Sequence, residues 1–102
     1  MWILKSTEPD DGSLMFRLRP GAIKTVGRAP RADFIVDAAL VSRLHCRLTA
    51  SADHLEVVDL SSTNGTFVNG KSIKKASLVA GDRLRVGRVE LKVGKRRQPT
   101  SR

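Results

Sequence analysis

The feature that most limits how this chain can fold is its punctuation. Pro20-Gly21, Asn64-Gly65, Asn69-Gly70, Ala80-Gly81-Asp82 and Gly87-Arg88 cut the sequence into short pieces. Glycine and asparagine accept the positive φ that tight turns demand, and proline presets the φ of a turn's first corner. Between the breaks, apolar and polar residues alternate with the period of two expected of a half-buried strand. Phe16-Arg17-Leu18-Arg19, Leu44 to Thr49, Leu55 to Asp59 and Val89 to Val93 all read this way. Asn69-Gly70 lies between Phe67-Val68 and Ser72-Ile73, the arrangement of a type I′ hairpin. Residues 37–43 are too few for a helix between strands and read as a loop. The expected fold is all-β: a β-sandwich of about ten to eleven short, mostly antiparallel strands, with its binding site on loops at one end.

At 102 residues the chain fits one domain. Residues 1–93 carry the strand pattern. Residues 94–102 hold Gly, Pro, Ser, Thr and four basic residues without apolar periodicity, and are expected to be a basic disordered tail or truncated linker. The formal charge is +9, yet residues 1–93 hold 15 basic against 10 acidic residues, leaving +5. Such a body favours acidic partners without choosing among them. The single cysteine, Cys46, cannot form an internal disulfide, and no leader or membrane-length apolar run stands out. The expectation is an intracellular monomer, away from membranes, with no cofactor, no metal site and no catalytic residues.

Three polar loops join directly to apolar strands: Val26-Gly27-Arg28, Ser42-Arg43-Leu44-His45, and Ser62-Thr63-Asn64-Gly65-Thr66. They offer two guanidiniums, several hydroxyls and an amide. That set suits a phosphate group, with its three acceptor oxygens and a charge of about −1.5 to −2. Arginine supplies a planar fork of donors, hydroxyls fill other acceptor directions, and asparagine can bond a peptide backbone both ways.

Spacing alone does not bring the loops together. The ordered set Gly27-Arg28, Ser42-Arg43-x-His45 and Asn64-Gly65-Thr66 resembles the signature of the forkhead-associated (FHA) family. Asp59-Leu60, Phe67-Val68-Asn69-Gly70 and Gly81-Asp82 agree with it. The resemblance implies a phosphothreonine-peptide-binding module that mediates phosphorylation-dependent protein–protein interaction. It implies that Arg28, Ser42 and Arg43 contact phosphate, that Thr63 lines the phosphothreonine pocket, and that Asn64 bonds the peptide backbone. Gly27, His45 and Gly65 would support the site structurally. Leu40 and Val41 are apolar where some members carry charge, so ligand preference beside the phosphothreonine does not carry over.

The start of the chain, Met1-Trp2-Ile3-Leu4, with Leu18-Arg19-Pro20-Gly21 and Ser42-Arg43-Leu44-His45-Cys46, is similar to the N-terminal FHA domains of nibrin-like proteins. That likeness implies a place in DNA double-strand-break signalling and favours the nucleus over the cytoplasm.

Other readings of these residues are weaker. Ser42, His45 and Asp59 could suggest a triad, but no nucleophile elbow or oxyanion hole accompanies them. Cys46 alternates into the core and is no nucleophile. His45, Cys46 and His54 are too few to hold zinc. A basic nucleic-acid-binding domain is the alternative function, built on Arg17, Arg19, Lys71, Lys74, Lys75 and the tail. With four aromatics in all, base stacking has little support, and nucleic acid is expected at most as a non-specific partner of the tail.

Overall fold

The computed structural model describes residues 1–8 and 13–96. Eleven strands follow in order: β1 (Trp2–Ser6), β2 (Met15–Leu18), β3 (Ile23–Gly27), β4 (Phe34–Ile35), β5 (Cys46–Ala50), β6 (Leu55–Asp59), β7 (Thr66–Val68), β8 (Lys71–Ile73), β9 (Lys75–Leu78), β10 (Arg83–Val86) and β11 (Val89–Lys95). They form a six-stranded sheet, β2-β1-β11-β10-β7-β8, and a five-stranded sheet, β4-β3-β5-β6-β9. Pairing is antiparallel except between β3 and β4. The expected all-β sandwich is observed.

Alternation fixes which face each strand buries. Leu4, Leu84, Val86, Leu91 and Val93 point inward from the first sheet, and Val26, Cys46, Leu48, Leu55 and Val57 from the second. Burying a Leu or Val side chain contributes about 1.5–3 kcal/mol. Trp2 is buried too, and its indole N–H donates to the Ser51 carbonyl at 2.7 Å, which satisfies its one polar atom. Phe16 of β2 stacks on Phe34 of β4 at 4.5 Å between centroids and closes one side of the sandwich.

The Asn69-Gly70 turn has φ of 50° and 83°, the two positive values a type I′ turn needs. Asn69 does more than turn the chain. Its side chain accepts from the Arg83 N–H at 2.9 Å and donates to Asp82 at 3.1 Å, pinning the hairpin to the start of β10.

Some expectations need correction. Strand β9 was not anticipated. The chain leaves β8, changes sheets at Lys74 and pairs with β6. The expected start of the β5 strand at Leu44 moves to Cys46, so His45 and Cys46 are both buried instead of alternating. At the expected boundary near 93, Gly94 and Lys95 continue β11 opposite Ile3 and Trp2. Of the tail expected at 94–102, residues 97–102 lie outside the described ones.

Candidate functional site

The loops after β3, β4 and β6 gather at one end of the sandwich, and backbone contacts hold them there. Arg28 N–H donates to Ser42 O at 3.0 Å, and Ala29 N–H donates to Arg43 O at 3.1 Å. This close approach explains Gly27. A Cβ at that position would lie 2.0 Å from the Arg43 carbonyl oxygen.

His45 ties three loops together. It is fully buried. Its Nδ1 accepts the Ser42 N–H at 3.1 Å, so in the neutral ring the proton sits on Nε2 and donates to Gly65 O at 2.8 Å. Its backbone N–H donates to Val26 O at 2.7 Å, and its carbonyl accepts from Leu60 N–H at 2.9 Å. One residue thus fixes the heights of the β3, β5 and β6 ends and of the 59–66 turn.

Asp59 organises that turn. Its carboxylate accepts from Ser62 Oγ at 2.5 Å, Thr66 Oγ1 at 2.7 Å and Ser62 N–H at 3.2 Å. Ser62 Oγ in turn accepts the Gly65 N–H at 3.0 Å, and Gly65 takes a φ of 88°. Partial burial opposes ionisation of Asp59. The hydrogen bonds from Ser62 and Thr66, aided by nearby His45, outweigh it and hold the carboxyl below its ordinary value.

On this frame Arg28, Ser42, Arg43, Thr63 and Asn64 line one open basin of about 490 Å³. Arg28 Nε donates to Val41 O at 3.1 Å, which orients the guanidinium and leaves its terminal nitrogens outward. Ser42 Oγ accepts the Thr63 N–H at 3.0 Å and keeps its own proton to donate. Asn64 Nδ2 donates to Leu40 O at 3.0 Å, leaving the amide oxygen and one amide hydrogen for a ligand. Among the described residues neither Arg28 nor Arg43 is ion-paired. The basin can therefore present two fork-shaped cations, two hydroxyls and an amide to an anion on an extended chain.

All five predicted contact residues meet in this basin, and Gly27, His45 and Gly65 lie in the frame beneath it. The sequence reading missed the part played by Leu40 and Val41, whose backbone carbonyls orient Asn64 and Arg28. Leu40 has a φ of 72°, a value uncommon for a residue with a side chain. No pattern of side chains marks a backbone carbonyl as an anchor. Asp59 and Ser62 were legible only as neighbours of the motif, and Thr66 only as its last position.

The geometry disposes of the triad. Both ring nitrogens of His45 are spent on backbone groups, Ser42 Oγ bonds Thr63, and Asp59 bonds Ser62 and Thr66. Cys46 is buried, and desolvation, with the negative Asp59 adding to it, pushes its thiol up to about 12. Among the described residues no three His, Cys, Asp or Glu side chains gather as a metal site would require. A separate hollow of about 360 Å³ between β1 and the end of β11 shares no residue with the loop basin.

Comparison with known proteins agrees with this frame. The FHA domain family model matches residues 24–87. The chain is 39% identical over 80 residues to an ABC transporter ATP-binding/permease protein of Mycobacterium tuberculosis, covering 78% of this chain and 9% of that protein. It is 37% identical over 70 residues to the glycogen accumulation regulator GarA of the same organism, covering 69% of this chain and 43% of GarA. The chain thus spans less than half the length of either relative. Among solved structures it superposes on the FHA domain of FhaA, captured with the intracellular domain of another protein, with a TM-score of 0.82 and 30% identity over 91% of this chain and 99% of that one. An FHA domain from a study of phosphothreonine-dependent interactions gives a TM-score of 0.84 and 30% identity over 95% of this chain and 98% of that one. These relatives correct the nibrin-like reading. The two relatives matched by sequence are a transporter protein and a regulator of a bacterium, so the expectations of a nuclear setting and of double-strand-break signalling lose their ground. Fold, loop frame and sequence match together establish that the chain belongs to the FHA domain family.

Proposed function

We propose that this domain is a non-enzymatic module that binds phosphothreonine-containing segments of a partner protein and so makes a protein–protein contact depend on phosphorylation. The observation that carries the proposal is the single basin in which Arg28, Arg43, Ser42, Thr63 and Asn64 meet, with both guanidiniums free of carboxylates among the described residues. Arg28 and Arg43 bind phosphate through charge-assisted bonds, Ser42 donates its hydroxyl proton, Thr63 lines the pocket, and Asn64 holds the peptide backbone. His45 and Asp59 act from below by keeping these groups in place. The related FHA domain solved with phosphothreonine-dependent interactions in view, and GarA as a named regulator, support a regulatory role in the bacterial cytoplasm.

The nucleic-acid alternative fits the geometry less well. Arg17 lies on β2 and Lys71 on β8, the two opposite edges of the six-stranded sheet. At about 4.8 Å per strand these edges are roughly 24 Å apart. Arg17 and Lys71 therefore do not lie side by side for a phosphate backbone to follow.

An oriented phosphothreonine-peptide library tests the proposal. Enrichment of defined sequences by the wild-type domain, lost with Arg28→Ala and only partly restored by Arg28→Lys, is the expected result, because lysine returns charge without the fork. Equal capture of phosphorylated and unphosphorylated pools would overturn it.

A further inference from the structure

A second hollow adjoins the proposed phosphate basin. It measures about 420 Å³ and is lined by Arg28, Ala29, Pro30, Arg31, Arg43 and Leu44. Arg28 and Arg43 line both hollows and form the wall between them. Arg31 borders the second alone. The turn that carries it is closed by the Ala32 N–H donating to Ala29 O at 3.0 Å. All three arginines are exposed, and among the described residues none is ion-paired. Asp33, two residues away, is engaged elsewhere: its carboxylate accepts from the Thr25 N–H and hydroxyl at 2.9 and 3.1 Å.

Charge matching gives the second hollow a purpose. A bound phosphate of about −1.5 to −2 balances Arg28 and Arg43. Arg31 is left over, beside two like charges that disfavour a third unless an anion joins them. We infer that Arg31, with the outer faces of Arg28 and Arg43, forms a second anion subsite that takes another acidic group of the same peptide, a carboxylate or a second phosphate. The inference rests on the proposed phosphothreonine reading. An extended chain advances about 3.3–3.6 Å per residue, so adjoining hollows place this group within about four residues of the phosphothreonine.

Binding isotherms with three peptide sets test this. The first is a phosphothreonine peptide with uncharged flanks. The second carries one Glu at each position from four before to four after the phosphothreonine. The third carries phosphoserine at those positions instead. At one or two neighbouring positions Glu should tighten wild-type binding about three- to fivefold, and phosphoserine about tenfold or more. The second and third sets separate carboxylate from phosphate. The Arg31→Ala domain should lose these gains, bind the uncharged-flank peptide within about twofold of wild type, and unfold at the wild-type urea midpoint. Gains that survive Arg31→Ala, or no position showing a gain, would overturn the inference. So would a folded Arg31→Ala domain that loses the uncharged-flank peptide, since Arg31 would then belong to the first site. A wild-type domain that binds no phosphothreonine peptide would overturn the proposed function itself.

Discussion

Replacing His45 with alanine should weaken the fold and the site together. The imidazole is fully buried and joins two backbone groups from different loops, the Ser42 N–H and the Gly65 carbonyl. Alanine leaves both without a partner in a place that water reaches poorly. Each orphaned group costs about 1–3 kcal/mol, so a total loss of about 2–6 kcal/mol is expected. A domain of this size has roughly 5–15 kcal/mol in hand, so the variant folds with a clearly lower midpoint. Urea unfolding followed through Trp2, the chain's one tryptophan and a buried one, reads this directly. Phosphopeptide titration below the transition should show weakened binding as well, because Ser42 and the Asn64-Gly65 turn are no longer fixed. Glutamine at this position reaches Gly65 with its amide N–H but gives no acceptor to Ser42, so it should fall between the two. A His45→Ala domain with an unchanged midpoint and abolished binding would refute the bracing role and show that the imidazole touches the ligand.

Three further outcomes follow from the same frame. Gly27→Ala forces a methyl group to within 2.0 Å of the Arg43 carbonyl oxygen, and should cost about 3 kcal/mol or more, or prevent folding, as read by the same urea titration. Cys46, with its thiol pushed up to about 12 by burial and by Asp59, should resist a thiol reagent such as Ellman's at pH 8 in the native state and react at once in denaturant. Asp59 has a folded-state value below its unfolded one, so its stabilisation is complete above the unfolded value near 3.9 and is lost as pH falls through the lower folded value; Asp59→Asn should lower the urea midpoint at pH 7 and flatten its decline between about pH 5 and 2.

Much of the fold is written locally. Alternation marks strands such as Phe16 to Arg19, Leu55 to Asp59 and Val89 to Val93, because apolar residues on one face and charged ones on the other leave a clear period. Strand β9 escapes because Lys75-Ala76-Ser77-Leu78 places small Ala76 on the inner face, where a period is hard to see. His45 shows a different limit. Alternation says that residues of a strand take turns, but not where the strand begins, and here pairing starts two residues later, at Cys46. The side chains of the site were legible through the family signature. Their convergence was not, because it depends on the ends of β3, β5, β6 and β7 meeting through backbone bonds that carry no sequence mark. The carbonyls of Leu40 and Val41, and the hollow beside Arg31, are products of that convergence and emerge only in three dimensions.

The central claim is that a threonine-borne phosphate governs recognition. Isothermal titration of the wild-type domain with three matched peptides, bearing phosphothreonine, phosphoserine or unmodified threonine in the best library sequence, tests it most directly. Charge-assisted bonds from Arg28, Arg43 and Ser42 contribute roughly 1.5–3 kcal/mol each. The phosphothreonine peptide should therefore bind in the micromolar range, on the order of −8 kcal/mol, and the unmodified peptide should scarcely bind. One threonine methyl group packed near Thr63 and Gly65 adds about 0.8 kcal/mol by burial, or about 1–3 kcal/mol where the fit is close. Phosphoserine should thus bind from several-fold to roughly a hundredfold more weakly. Equal affinity for all three peptides would contradict the account.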